Sequence, residues 1–267
     1  ETSTVDVMVA AIVGISMSSR PKQAFYIPTG HRILSSIGQL PLPQVINKLK
    51  PLFEDIKLRK VVHNGKFDLA VLAGQGIQLQ NLGFDTVIAA HLLGEKPLGL
   101  KVLAFNKLGI EMTALEDLIG KGAKQISMAL VDVEKAANYA CADADVALRL
   151  KLIFASELSS QGLWRLFSEI EMPLVSVLVD MERTGVALDT ELLRNMSTYF
   201  GEEMFRLEKD IYSGVGHEFN INSPQQLSKI LYDELNLTRS RKTKSGYSTD
   251  AAILEELKGA HPIIDLV

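Results

Sequence analysis

The sequence predicts an α/β domain built on a mixed β-sheet flanked by helices, followed by an all-helical segment. β-Branched apolar runs open the chain, an apolar strand pattern at Val61-Val62 then alternates with helical patterns, and strand patterns cease near Gln161. Antiparallel strands first and strand–helix alternation afterwards is the order of a mixed sheet with helices on its faces. A length of 267 residues suits two domains better than one core, and the pattern divides them as 1–160 and 161–267.

Val5 to Ser16 reads as a strand interrupted by Gly14, with Phe25 to Pro28 as its partner across a turn at Ser18 to Pro21. Leu42, Val45, Ile46 and Leu49 have helical spacing, with Pro43 near the start and Pro51 expected just past the end. Val61-Val62 fits a short buried strand, and Gly65 to Ala73 fits a helix directly after it. Helical patterns continue over Asp85 to Leu93, Lys101 to Leu108 and Val133 to Leu158.

In the second half, Leu163 to Arg183 is a long helical pattern that Pro173 should kink or divide. Glu191 to Ser213 is another, with Asp189 placed to cap it. Ser223-Pro224 puts proline at the first position of a helix over Gln225 to Leu235. Ser248 to Leu257 is a further short helix, with Ser248 or Thr249 expected as its cap. Thr238 to Gly246 is polar and basic, without apolar period, and reads as a loop.

Composition bounds the function. No apolar run reaches the roughly 20 residues of a membrane span, and no basic-then-apolar leader opens the sequence. A single cysteine, Cys141, fits a reducing compartment, so a cytoplasmic protein is expected; a monomer is expected as well. The net charge of −4 argues against indiscriminate nucleic-acid binding. It does not exclude an enzyme that confines basic residues to one groove and uses carboxylates to hold metal ions.

Three short segments carry chemistry. Tyr139 and Asp143 are four apart in a helical pattern, on a face otherwise lined largely by alanine. A carboxylate beside a phenol there can hold a divalent cation and orient its water. Asp145 points elsewhere and is expected to be a solvated charge. Asn64 and Asp68 are also four apart, where an apolar strand runs into a helix, and α/β folds place ligands at such strand ends. The bland alternative is that Asn64 caps the helix and Asp68 favours its positive end. His63 is expected to be an ordinary strand-end residue. The third segment is Glu1-Thr2, ahead of the first strand pattern.

Together these segments resemble the three ordered motifs of the proofreading exonucleases that use three Asp and one Glu, in the variety whose third motif carries Tyr. The text around them resembles the family A DNA polymerases. Phe84-Asp85-Thr86, Gly120-Lys121-Gly122 and Gln125 belong to the same likeness. Met172-Pro173-Leu174, Glu182-Arg183-x-Gly185-Val186, Phe219-Asn220-x-Asn222-Ser223-Pro224-x-Gln226-Leu227 and Lys242-Thr243-Lys244-x-Gly246-Tyr247-Ser248-Thr249 resemble that family's thumb.

The resemblance implies a ribonuclease H-like exonuclease domain over 1–160 and part of an all-α thumb over 161–267. It departs in two places. The family's first motif is Asp-x-Glu, whose Asp would lie two residues before Glu1, and the palm and fingers would follow Val267. DNA synthesis is therefore not expected of these residues by themselves.

The resemblance further implies two divalent cations, Mg²⁺ or Mn²⁺, which would activate water and hold the leaving oxygen. Hard cations take oxygen ligands, which suits Asp and Glu. Glu1, Asp143 and the upstream Asp would hold one ion, and Asp68 with that Asp the other. Tyr139 would orient the attacking water, since a phenol is a poor base at neutral pH. Asn64, Val5 and Leu115 would meet the frayed 3′ end of single-stranded DNA, and Lys121 and Lys124 its phosphates. Arg239, Arg241, Lys242 and Lys244, with Asn220, Asn222 and Ser223, would meet the primer–template duplex. Two rivals remain: a catalytically silent exonuclease-like support domain that binds DNA, and a free-standing RNA-trimming nuclease, which the thumb-like half disfavours.

Overall fold

A computed structural model of the chain describes residues 1–33, 38–238, 242–243 and 246–267. Residues 1–3 pair antiparallel with 11–14: Ser3 N–H donates to Ala11 O and Val13 N–H to Glu1 O, both at 2.9 Å, and Thr2 bridges Ile12. The chain between folds back as a loop. Its backbone is satisfied locally, with Thr4 Oγ1 accepting from Asp6 N–H and Asp6 Oδ1 from Met8 N–H. Such side-chain bonds compete with a strand ladder. The expected strand over Val5 to Ser16 is thus corrected. β1 is Gly14–Arg20 and β2 is Gln23–Pro28, antiparallel with Ile15 opposite Ile27 and Met17 opposite Phe25.

α1 (Leu42–Phe53) buries Val45, Ile46 and Leu49, and that apolar face carries the helix past its expected end, so Pro51 lies inside the last turn. β3 (Lys60–Val62) leads into α2 (Gly65–Gly74). β4 (Leu82–Asp85), which the apolar pattern did not announce, pairs parallel with β3. The ladders β1–β2 and β3–β4 are separate two-stranded pairings among the described residues. α3 (Thr86–Leu92), α4 (Leu100–Leu108) and α5 (Leu115–Ile119) follow, then 3₁₀ turns at Gly122–Lys124 and Met128–Leu130. α6 (Val133–Ser160) is the spine, capped by Asp132 and packed against β1, β2, β3, α3 and α4.

α7 (Trp164–Leu166) runs through a π-helical turn, Phe167–Glu171, into α8 (Met172–Thr184), so the break falls just ahead of Pro173. Phe84, Leu103, Leu150, Phe154 and Leu158 form the main core, and Phe167 and Met172 join it. The Phe84 and Phe167 rings lie 4.7 Å apart. The compact first unit spans Glu1–Gly185.

The second unit, Val186–Val267, holds α9 (Thr190–Val215), α10 (Pro224–Lys229) with a π turn at Ile230–Glu234, the two-residue strands β5 (Lys242–Thr243) and β6 (Gly246–Tyr247), α11 (Ala251–Glu256) and α12 (Ile263–Leu266). Asp189 caps α9 and Ser223 caps α10 as expected. Ser248 and Thr249 do not cap α11: its cap position is Asp250, and Ser248 Oγ accepts from Asp250 N–H at 3.2 Å. Ile211, Leu231, Tyr232 and Ile263 centre its core.

Candidate active site

α6 carries Tyr139 and Asp143 one turn apart because Asp132 fixes where the helix starts and Ala136 and Ala140 bury its inner side. Asp143 Oδ1 is buried without a hydrogen-bond partner. Backbone pairing of residues 1–3 with 11–14 brings Glu1 to the same place, where its charge raises the Asp143 carboxyl.

The third acid reaches the site through a clamped turn. Asn64 adopts a left-handed conformation (φ 67°, ψ 51°) and its side chain caps nothing, so the bland reading of Asn64 fails. Asp85 instead satisfies the start of α2: its Oδ1 accepts from Asn64 N–H at 3.1 Å and its Oδ2 from Gly65 N–H at 2.7 Å. The same carboxylate caps α3 through Val87 N–H at 2.9 Å. His63, a strand-end residue as expected, hydrogen-bonds Thr86 Oγ1 through Nδ1 at 2.8 Å. One turn into α2, Asp68 is open to water yet surrounded by protein, and its carboxyl is raised by that crowding first, with Asp85 and Glu1 adding.

Electrostatics tie the acids together. Asp143 is pushed up to about 6 by burial and then by Glu1, with Lys101 and the Tyr139 hydroxyl opposing. Burial, then Asp143 and Glu1, hold the Tyr139 phenol well above its ordinary value. Desolvation and neighbouring negative charge both disfavour a carboxylate's ionised form. Lys101, on the first turn of α4, places Nζ 4.7 Å from the centre of the Tyr139 ring. Burial lowers Lys101, and the surrounding acids, Asp143 first, oppose that.

The family model of the 3′-5′ exonucleases of family A polymerases matches residues 1–159, more than half of the chain and all three acid-bearing segments. The chain belongs to that family. A second model, DNA polymerase family A, matches residues 190–267. Relatives include DNA polymerase I of Chloroflexus aurantiacus, 42% identical over 98% of this chain and 28% of that protein. The enzyme of Pseudomonas aeruginosa is 39% identical over 96% of this chain and 29% of its own length. The chain thus spans under a third of the curated relatives it matches. Among solved structures, the POL domain of Pol1 from M. smegmatis in complex with DNA primer-template and dNTP has a TM-score of 0.71 at 26% identity, covering 96% of this chain and 41% of that one.

The exonuclease unit's donor set fits divalent cations. Glu1, Asp68 and Asp143 offer carboxylate oxygens, the preference of hard cations, and the orphaned Asp143 Oδ1 is an acceptor with no protein donor. Among the described residues no three Asp, Glu, His or Cys side chains converge into a closed metal cage. The charge of Glu1 acts on both Asp68 and Asp143.

Around the site, Val5 is 86% exposed on the 4–10 loop, with Met8 and Val9 beside it. Leu115 packs with the cluster of Val13, Ile119 and Met128, so its side chain is engaged in the core. Lys121 and Lys124 are exposed, and Lys121 Nζ lies 3.6 Å from Glu116. Asp145 is not the solvated charge expected: it accepts from Lys22 N–H and pairs with Arg149 at 3.4 Å, tying the β1–β2 turn to α6.

In the family A polymerase unit, Asn220 Oδ1 accepts from Asn222 N–H at 3.0 Å and Ser223 is the α10 cap. Lys242 lies opposite Tyr247 in the β5–β6 pair. Arg239, Arg241 and Lys244 lie outside the described residues. Among the described residues no helix is long and apolar enough to cross a membrane.

Proposed function

We propose that this chain removes nucleotides one at a time from the 3′ end of single-stranded DNA, as the proofreading part of a DNA polymerase acting in replication and repair. The carrying observation is the electrostatic coupling of Glu1 and Tyr139 to Asp143, and of Glu1 to Asp68, beside the buried, unpartnered Asp143 Oδ1. Groups with strongly perturbed pKa values gather where chemistry is done. Acids raised by burial and by their neighbour Glu1, even against the opposing chain-terminal ammonium and, at Asp143, Lys101, call for cations.

Glu1, Asp68 and Asp143 would hold two Mg²⁺ or Mn²⁺ ions. When bound, these ions supply an activated water and neutralise the leaving 3′ oxygen. Tyr139, held protonated, donates its hydroxyl and orients that water rather than deprotonating it. Asn64, its side chain free of a capping role, would meet the entering strand. Val5, with Met8 and Val9, offers an apolar ledge for unstacked bases, which bind apolar and aromatic surfaces without sequence preference. Lys121 and Lys124 take backbone phosphates.

In the second unit, Asn222, Ser223 and Lys242, with Arg239, Arg241 and Lys244, would contact the phosphates of a primer–template duplex. The protein acts in the cytoplasm as a monomer. Expected silence is the rival, and the retention of Glu1, Asp68 and Asp143 favours activity.

The test is a 5′-labelled single strand incubated with Mg²⁺ and a version carrying Asp two residues ahead of Glu1. Stepwise shortening from the 3′ end is expected, with Asp143→Ala slowing it at least a hundredfold. Absence of shortening, or an unchanged rate in Asp143→Ala, would overturn the reading in favour of the silent support domain.

A further inference from the structure

The nuclease site contains a cation that no motif announces. Lys101 rises from the first turn of α4, the helix packed along α6, and its ammonium lies over the Tyr139 ring, 4.7 Å from the ring centre. Tyr139 and Asp143 share one face of α6, so this places a positive charge against the wall that bears the catalytic phenol and carboxylate. The charge of Lys101 acts on Asp143, and Glu116, Asp117 and Glu1 act on Lys101. Among the described residues Lys101 nevertheless forms no ion pair, whereas the nearby Lys121 is engaged with Glu116.

A phosphodiester entering a cleft lined by Glu1, Asp68 and Asp143 meets like charge on three sides. An unpaired ammonium on a flexible four-carbon stem, held only weakly by an aromatic face, can move to meet a phosphate. A lysine there merely to steady the ring would do so without sensing the strand. A lysine that also contacts the strand must leave a trace in how binding responds to salt.

Resting on the nuclease reading above, we infer that Lys101 is a substrate-contacting residue of this site, its ammonium binding a non-bridging phosphate oxygen of the single strand beside Tyr139 and Asp143. The ligand class is a single-stranded nucleic-acid backbone, and the contact is to phosphate rather than base.

The experiment measures binding of a short, fluorescently labelled single-stranded DNA to the full 267-residue chain in EDTA, by anisotropy across a salt series. One phosphate contact to a single strand contributes about 0.7 to the slope of log affinity against log salt. Lys101→Met should lower the slope by that amount and weaken binding roughly five- to tenfold at low salt. Lys101→Arg should restore both, and thermal melting of the variants should match the wild type. A wild-type slope in Lys101→Met, or no rescue by Lys101→Arg, overturns this assignment while leaving the nuclease reading intact. A wild-type chain that does not bind single strands, together with no shortening by the version carrying Asp two residues ahead of Glu1, overturns both.

Discussion

Asp85 Oδ2 accepts a 2.7 Å hydrogen bond from the backbone N–H of Gly65, twenty residues earlier in the chain. Its other oxygen serves Asn64 and Val87, so one buried carboxylate fixes both the turn that launches Asp68 and the start of α3. Asp85→Ala leaves three backbone donors without that acceptor. Buried donors left unpaired cost about 1–3 kcal/mol each before water or relaxation compensates. Urea unfolding should show a loss of roughly 3 kcal/mol or more, and a loss below about 1 kcal/mol would mean the turn holds without the clamp.

Gly65 has no room for a side chain: a Cβ there would lie 2.4 Å from Val62 Cγ2. Gly65→Ala must push β3 and α2 apart, at about 1–3 kcal/mol, the usual cost of overpacking. Because α2 carries Asp68, the same substitution should slow 3′-end trimming more than it lowers the melting temperature would explain. Trimming that falls only in proportion to the folded fraction would separate Gly65 from the site.

Much of this was legible in the sequence. Tyr139 and Asp143 could be paired because four-residue spacing inside one helix needs no tertiary information. The caps Asp189 and Ser223 were equally local. What escaped depends on distant contacts. Lys101 meets Tyr139 only because α4 lies along α6. β4 is four residues long, includes Gly83, and exists through its pairing with β3. The Val5 to Ser16 run has strand composition, but its strand-like partner is residues 1–3, and Thr4 and Asp6 close the loop between. Phe167 joins the first core although it lies past residue 160, because a helical period does not tell which core its apolar face joins.

That aromatic contact gives a further prediction. A chain cut after Gly185 should unfold in one cooperative step for its first unit, whereas a cut after Ser160 bares Phe84 and Leu158. Phe167→Ala should cost about 3–5 kcal/mol, as for other buried phenylalanines. Equal stability of the two truncated forms, measured by urea unfolding, would place 161–185 outside the first unit.

Metal-free stability should depend on pH with a definite sign. Asp143 is raised from an ordinary 3.8 to about 6 in the folded chain, so the fold holds its proton more tightly than the unfolded chain does. Its contribution is therefore fully present below pH about 4 and is lost as pH rises through about 6. In EDTA, wild type should lose melting temperature over that window relative to Asp143→Asn, and the two should change in parallel above pH 7. Parallel curves throughout would show that Asp143 is not electrostatically strained.

The most direct test is Mn²⁺ binding to the chain, followed by calorimetry at pH 7, against Asp68→Ala and Asp143→Ala. Carboxyls raised by burial and then by Glu1 should bind the ion, and each substitution should weaken binding by at least about tenfold while releasing fewer protons. Binding that is unaltered by either substitution would contradict the claim that Glu1, Asp68 and Asp143 form one cation site.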